Sequence, residues 1–168
     1  MKNIYLIGFM GTGKSSVGKQ LAEELQVSFV DLDQFIVEKY RMEIKDIFRQ
    51  YGEQVFREYE KLCLREVKDY QIIATGGGVV EQEENINEMK SGSIIHLDTS
   101  FEAIEKRLKN DDNRPLWNQD RDRQAALYNR RKDIYKNCSD LTIDTTNYSI
   151  IDVVKMIISF MNKSKLKR

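Results

Sequence analysis

A glycine-rich segment near the start of the chain has the residue types needed to hold phosphate groups. The run GFMGTGKS, residues 8–15, fits the pattern G-x-x-x-x-G-K-[ST], with an apolar run before it and helix-like sequence after it. Glycines let backbone N–H groups turn around phosphate oxygens, and the helix adds the positive end of its dipole. Lys14 would place its charge on the β- and γ-phosphates, and the Ser15 hydroxyl would ligate Mg²⁺. The segment predicts a P-loop.

Two carboxylates follow the second apolar run. In the sequence FVDLD, residues 29–33, the alternation of an extended chain places Asp31 and Asp33 on one side, at the carboxyl end of a predicted strand. Ligands of open α/β sheets bind at that edge. The pair would hold a water of the Mg²⁺ shell and orient a substrate hydroxyl. A surface turn, with Asp33 as the N-cap of the next helix, is an equal alternative.

An arginine and a glycine triplet offer a second group of candidates. Arg57 and Glu60 lie three residues apart on a predicted helix, so Glu60 either forms a plain helical ion pair or holds Arg57 ready for an anionic substrate. The triplet at 76–78 follows the third predicted strand, where glycines let a ligand approach the backbone closely. A flexible turn is the alternative interpretation, but a turn rarely needs three glycines.

The fourth apolar run, SIIHLD, carries two further candidates. Asp98 imitates a Walker B aspartate and therefore competes with Asp31 as a residue that attends Mg²⁺. The only histidine, His96, lies on this apolar run, which predicts a packed residue more than a catalytic one. Cys63 and Cys138 form no CxxC pair or ligand cluster, which favours free thiols in a reducing, cytoplasmic setting.

The composition limits the classes of function. The chain has 168 residues, with 27 Lys and Arg against 27 Asp and Glu, so its overall charge indicates neither nucleic acid nor a membrane surface as a partner. No apolar run approaches the roughly 20 residues that span a bilayer, and we expect no leader segment before the first strand. We expect one domain, and a monomer, because nothing indicates a large exposed apolar patch.

Apolar runs alternate with helical patterns, which predicts an α/β fold with a parallel sheet covered on both faces. Two helical stretches between the second and third strands predict a substrate-side region at about 33–60. The polar segment 109–124 holds the only proline, Pro115, and predicts a loop or lid, while the basic tail 163–168 is expected to fray. Strands are predicted at 3–7, 28–31, 71–74, 94–97 and 141–143, and helices at 14–25, 33–50, 52–69, 81–90, 100–109, 122–136 and 149–162.

Together these motifs resemble the shikimate kinase family. The GFMGTGKSS loop, the DxD pair, the GExxFRxxE helix, the GGG turn and the RPL of the lid follow one another in the family's order, from residue 4 to about 145. The resemblance implies a three-layer P-loop kinase sandwich with a five-stranded parallel sheet in the order 2-3-1-4-5. It also implies ATP- and Mg²⁺-dependent phosphorylation of the 3-hydroxyl of shikimate, on the pathway to chorismate and the aromatic amino acids.

The resemblance also implies roles for individual residues. On the nucleotide side, Lys14 and Arg114 would act on the transferring phosphoryl group, Arg107 would lie against the adenine, and Ser15 with Asp31 would hold Mg²⁺. On the acid side, Asp33 would bind the shikimate hydroxyls and is the candidate base. The residues implied to bind ATP are Gly11, Thr12, Gly13, Lys14, Ser15, Ser16, Arg107 and Arg114, and those implied to bind shikimate are Asp33, Arg57, Gly76, Gly77, Gly78 and Arg131.

The chain departs from the family pattern at two places. The second carboxylate-binding arginine often begins the run R-x-P-L-Y, but here Asp133 stands at the proline position, and Arg130 is a rival for Arg131. In the lid, Trp117 follows where aliphatic residues are commoner. A kinase for another small hydroxy acid or for a nucleoside monophosphate, and a module that only binds ATP, are the competing interpretations. A GTPase switch is disfavoured, because the nearest approach to Asn-Lys-x-Asp, at 162–165, lacks the aspartate.

Overall fold

Five parallel strands form one sheet in the order β2-β3-β1-β4-β5, which confirms the predicted order. The computed structural model describes residues 2–108 and 120–166. The strands are β1 Ile4–Ile7, β2 Phe29–Asp31, β3 Ile72–Ala74, β4 Ser93–Asp98 and β5 Leu141–Asp144. The α-helices of the described residues are α1 Lys14–Leu25, α2 Leu32–Tyr40, α3 Ile44–Glu66, α4 Glu83–Met89, α5 Phe101–Leu108, α6 Arg121–Cys138 and α7 Ile150–Leu166.

The sheet separates two apolar cores because alternate residues of each strand face opposite sides. On β1, Ile4 and Leu6 pack with α1 and α7, whereas Tyr5 and Ile7 pack with α2, α3 and α6. The central strands are buried on both faces, so their sequences are continuously apolar. The result is a helix–sheet–helix sandwich of three layers.

The helix boundaries differ from the sequence prediction at three places. The predicted helix 33–50 is wrong in extent: α2 ends at Tyr40, where Arg41 takes a left-handed φ of 52°, and α3 begins at Ile44. Gly52, with φ 83° and ψ 171°, then kinks α3 without ending it. The helix predicted at 149–162 is also wrong in extent, because α7 continues to Leu166 through a run without glycine or proline.

The lid prediction falls mostly on residues 109–119, which lie outside the described residues, as do Arg114, Pro115 and Trp117. The last residues of the predicted lid are helical instead, because α6 begins at Arg121 with Asp120 as its N-cap. Within 2–108 and 120–166, no helix combines the length and the apolar character that crossing a membrane requires.

Candidate active site

The P-loop joins the carboxyl end of β1 to the start of α1. Gly11 and Gly13 have φ values of 77° and 92°, a left-handed conformation that favours glycine. Gly13 is the N-cap of α1 and supplies no side-chain hydrogen bond to it. The first N–H groups of a helix point out of its N-terminal end, so the start of α1 is suited to bind a phosphate.

Lys14 points back into the loop that it terminates. Its Nζ donates hydrogen bonds to the carbonyl oxygens of Gly8 at 2.8 Å and of Phe9 at 2.9 Å. Thr12 supports the same turn, since its hydroxyl donates to the Phe9 carbonyl at 2.9 Å. The ammonium group therefore lies at the centre of the loop, where phosphates would be enclosed.

A cavity of about 350 Å³ adjoins the outer side of the P-loop. Gly11, Thr12, Gly13 and Ser16 line it on one side, and Tyr148 and Ile150 on the other. Arg107 spans its edge, where its guanidinium donates to the carbonyls of Gly11 at 3.4 Å and Thr145 at 3.1 Å. The cavity has space and apolar surface for a nucleoside next to the phosphate-binding amides. Sequence reasoning missed Tyr148 and Ile150, which no motif marks.

Asp31 connects the P-loop to the second strand. The Ser15 hydroxyl donates a hydrogen bond to its Oδ2, while its Oδ1 accepts from the backbone N–H groups of Asp33 at 3.1 Å and Gln34 at 3.2 Å. Asp31 is thus the N-cap of α2, and the alternative in which Asp33 caps this helix is wrong. A hydroxyl and a carboxylate side by side are the hard oxygen donors that Mg²⁺ prefers, so this pair fits the ion.

The structure bears on the choice between Asp98 and Asp31 as the residue that attends Mg²⁺. Asp98 Oδ2 lies 3.9 Å from Lys132 Nζ, whereas Asp31 contacts Ser15, so the metal assignment favours Asp31. The Ser100 hydroxyl, not Asp98, caps α5, by accepting from the N–H of Ala103 at 3.3 Å.

His96 is a packed residue and the two cysteines are free thiols, as the sequence predicts. His96 is buried and stacks on Tyr135, with ring centroids 5.1 Å apart, which confirms it as a packed residue. Burial lowers the pKa of His96 to about 4, so its ring is neutral near pH 7. Cys63 and Cys138 are free thiols, and burial raises the pKa of Cys63 to about 11.

Two glycines of the triplet 76–78, Gly76 and Gly78, make room for charged side chains. A Cβ on Gly76 would lie 2.6 Å from Asp33 Oδ1 and 2.9 Å from Glu60 Oε1, and one on Gly78 would overlap the guanidinium of Arg57. A Cβ on Gly77 would meet only ordinary contacts, of 3.5 Å or more. The triplet is therefore a close-approach surface for charged side chains, and the flexible-turn interpretation does not explain it.

Arg57 is held between two carboxylates of its own helix. Its Nη1 donates to Glu60 Oε2 at 2.8 Å and its Nη2 to Glu53 Oε1 at 3.1 Å, with 12% of the arginine side chain exposed. Burial raises the pKa of Glu60 to about 7; the charge of Arg57 opposes this rise and that of Asp33 adds to it. Glu53, four residues before Arg57, was readable from the sequence but not singled out.

Arg131 lies on the other side of the triplet. Its side chain is 7% exposed, against 61% for Arg130, and its Nη1 is 3.7 Å from the position of a Gly77 Cβ. One helical turn later the Tyr135 hydroxyl donates to the Gly77 carbonyl. With Asp133 in place of a proline, α6 continues unbroken, so Arg131 and Tyr135 share one face. The geometry favours Arg131 over Arg130 as a group that faces the cleft.

Sequence and structural comparisons agree on one family. A sequence model described as shikimate kinase matches residues 10–162. The chain is 42% identical to shikimate kinase of Sulfurihydrogenibium sp., over 100% of this chain and 99% of the relative. It is 44% identical to shikimate kinase of Persephonella marina, over 94% of this chain and 98% of the relative.

Two solved structures are also similar. "Shikimate kinase from Acinetobacter baumannii in complex with shikimate" has a TM-score of 0.92 and 34% identity, and the match covers 99% of this chain and 96% of that one. Shikimate kinase from Aquifex aeolicus has a TM-score of 0.83 and 32% identity, with 98% of each chain covered. The chain belongs to the shikimate kinase family.

Proposed function

We propose that this chain transfers the terminal phosphoryl group of ATP to the 3-hydroxyl of shikimate and releases ADP and shikimate 3-phosphate. One observation carries the proposal. The backbone N of Met10, the carbonyl oxygen of Gly8 and Nη1 of Arg131 lie 3.5, 3.6 and 3.7 Å from the position of a Gly77 Cβ. The phosphate loop and a guanidinium suited to an acid thus adjoin one glycine, as direct transfer between bound substrates requires.

The donor is held by the P-loop. The amides of residues 11–16 bind the phosphates, and Lys14 supplies positive charge where the transferred group becomes more anionic in the transition state. The nucleoside occupies the cavity edged by Arg107, whose guanidinium stacks on the adenine. Arg114, which lies outside the described residues, acts on the transferring phosphoryl group in this proposal.

Mg²⁺ accompanies ATP. The Ser15 hydroxyl and, through a water, the Asp31 carboxylate would hold it, and the bound ion would neutralise charge on the phosphate oxygens. Independently of the ion, Asp31 fixes the start of α2 as its N-cap, and this places Asp33 one residue inside the helix, facing Gly76.

The acceptor lies against the glycine triplet. Arg57 and Arg131 bind the shikimate carboxylate, since a planar guanidinium matches a carboxylate bidentately. Asp33 orients the 3-hydroxyl and accepts its proton as the oxygen attacks phosphorus. The backbone of Gly76, Gly77 and Gly78 contacts the ring because no Cβ intervenes. The similar structure of shikimate kinase from A. baumannii in complex with shikimate supports this assignment of the acceptor.

We also propose that the chain acts as a cytoplasmic monomer, without nucleic acid. The free thiols of Cys63 and Cys138 suit a reducing compartment, and the equal numbers of acidic and basic residues give no general attraction to polyanions.

The test is product formation. Purified chain is incubated with ATP, Mg²⁺ and, in turn, shikimate, gluconate and nucleoside monophosphates, and phosphorylated product is followed by ³¹P NMR. We expect transfer to shikimate alone and an absolute need for the 3-hydroxyl. Transfer to another acid would identify that acid as the substrate instead of shikimate. ATP binding without transfer to any acceptor would mean that the chain is a module that only binds ATP.

A further inference from the structure

Glu81 contacts both arginines of α6 with one oxygen atom. Its Oε1 accepts a 2.6 Å hydrogen bond from Nε of Arg131 and another of 2.6 Å from Nη2 of Arg130. Glu81 ends the 3₁₀ helix Val79–Glu81, which directly follows the glycine triplet. Fifty positions of sequence separate Glu81 from Arg131, so the contact ties α6 to the segment that contacts the acid.

Glu81 bonds Arg131 through Nε, so the two terminal nitrogens of the guanidinium are not taken up by this contact. An arginine has five N–H donors, of which the Nε–H is one. With that donor occupied by Glu81, Nη1 is directed to the side of Gly77, where the substrate carboxylate is proposed to bind. A long side chain that is fixed before the ligand arrives loses less conformational entropy on binding.

Arg130 offsets the negative charge that Glu81 places beside the proposed anion-binding site. Glu81 alone would neutralise Arg131 and repel an incoming acid. Arg130, which is largely exposed, bonds to the same oxygen and cancels that charge, so the trio keeps one net positive charge. Partial burial by itself would raise the pKa of Glu81, but the hydrogen bonds and charges of Arg131 and Arg130 outweigh burial and hold its pKa below the usual range.

We propose that Glu81 is a positioning residue for the substrate carboxylate: it holds Arg131 by Nε with the terminal nitrogens facing the cleft, and Arg130 serves as its counter-charge. Arg130 and Arg131 are then not alternatives for one role, because Arg131 binds the acid and Arg130 neutralises Glu81. This inference rests on the proposed function, since it takes the bound acid to be shikimate.

Steady-state kinetics of the full chain test the proposal. Glu81→Gln removes the charge and keeps the size of the side chain. We expect the KM for shikimate to rise on the order of tenfold, the loss typical of a charge-assisted hydrogen bond, while the KM for ATP and the Tm stay unchanged. Glu84→Gln is the matched control, because it removes the same charge from an exposed residue three positions later and should behave as wild type.

A neutral ligand separates positioning from a general structural role. The methyl ester of shikimate lacks the negative charge that Arg131 binds, so Glu81→Gln should change its KM much less than it changes that of the acid. An equal rise for ester and acid, or a Glu81→Gln variant indistinguishable from Glu84→Gln, would overturn the inference. Arg130→Gln should raise the KM for shikimate less than Glu81→Gln does, and a larger effect would make Arg130 the clamp instead.

Calorimetry distinguishes failure of the inference from failure of the proposed function. Titration of shikimate into wild type and Glu81→Gln without ATP measures the acid site alone. Weaker binding to the variant supports the positioning role even if no phosphoryl transfer is found, in which case only the proposed reaction fails. Equal binding to both proteins rejects the role of Glu81 and leaves the reaction standing.

Discussion

Nη1 of Arg57 donates a 2.8 Å hydrogen bond to Oε2 of Glu60, whose carboxylate is completely buried. Within the described residues the other oxygen of Glu60 is buried and accepts no hydrogen bond. Such a group resists ionisation because no water solvates its charge, and the neighbouring Arg57 only partly offsets this cost. Arg57 is therefore held by a carboxylate that gains a proton near neutral pH.

The first prediction concerns the pH dependence of stability. The pKa of Glu60 is raised to about 7 in the folded chain. Its contribution to the free energy of unfolding is therefore fully present below the pKa of the unfolded chain, and it is lost as the pH rises through 7. Glu60→Gln does not titrate, so it should gain stability relative to wild type between pH 5 and 8, by on the order of 3 kcal/mol at most. Urea unfolding at four pH values measures this difference.

An exposed neighbour provides the control for that measurement. Glu58 pairs with Lys61 on the same helix and is 53% exposed, so Glu58→Gln should show no such trend. A constant difference between Glu60→Gln and wild type across the pH range would mean that Glu60 is ionised throughout.

The second prediction concerns Gly78. Its backbone φ of −94° suits any residue, so an alanine there is not strained by conformation. Its Cβ would, however, overlap the Arg57 guanidinium, which must move. We expect Gly78→Ala to raise the KM for shikimate at least tenfold, by roughly the value of a charged hydrogen bond, and to leave the KM for ATP unchanged.

Gly77→Ala is the matched variant for folding, since its Cβ finds 3.5 Å or more of space to every neighbour. Its Tm should equal that of wild type, while that of Gly78→Ala should be lower. A Gly78→Ala variant with the Tm and the KM for shikimate of wild type would show that the triplet does not need its closest approach to Arg57.

The third prediction concerns Arg57 itself. Arg57→Ala removes a guanidinium from the acid site and should raise the KM for shikimate by about 10- to 100-fold, with a far smaller effect on ATP. Arg49→Ala, which removes an exposed arginine paired with Asp46 on the same helix, should match wild type. An equal rise of both KM values in Arg57→Ala would make its ion pairs purely structural.

The sequence is informative about this site where chemistry is local. The P-loop is readable because its glycines, Lys14 and Ser15 are consecutive, and the strands are readable because buried parallel strands need unbroken apolar runs. The end of α2 before Arg41 cannot be predicted from the sequence, because Arg41 takes a left-handed φ without a glycine or proline to mark the position. Glu81 is also invisible, because it belongs to an acidic run and meets Arg131 only through the fold.

The fourth prediction separates two roles of Asp31. Asparagine caps helices about as well as aspartate, so Asp31→Asn should keep α2 stable while it removes the charge beside Ser15. We expect a higher Mg²⁺ concentration for half-maximal activity and little change in Tm. Asp31→Ala loses the cap as well, at a cost of about 1 kcal/mol in unfolding free energy. An unchanged Mg²⁺ requirement in Asp31→Asn would leave Asp31 as a helix cap only.

The fifth prediction concerns Lys14, which has a structural and a chemical role. Its Nζ binds the carbonyls of Gly8 and Phe9, so Lys14→Ala leaves two acceptors of the loop without this donor and should lower the Tm slightly. The larger effect should fall on turnover. A charge that acts mainly on the transferring phosphoryl group stabilises the transition state more than bound ATP, so kcat should fall by orders of magnitude while ATP binding weakens far less. Single-turnover assays and nucleotide titrations measure the two effects separately. If kcat stayed near that of wild type while the Tm fell, Lys14 would only hold the loop together, and the positive charge for transfer would have to come from another residue.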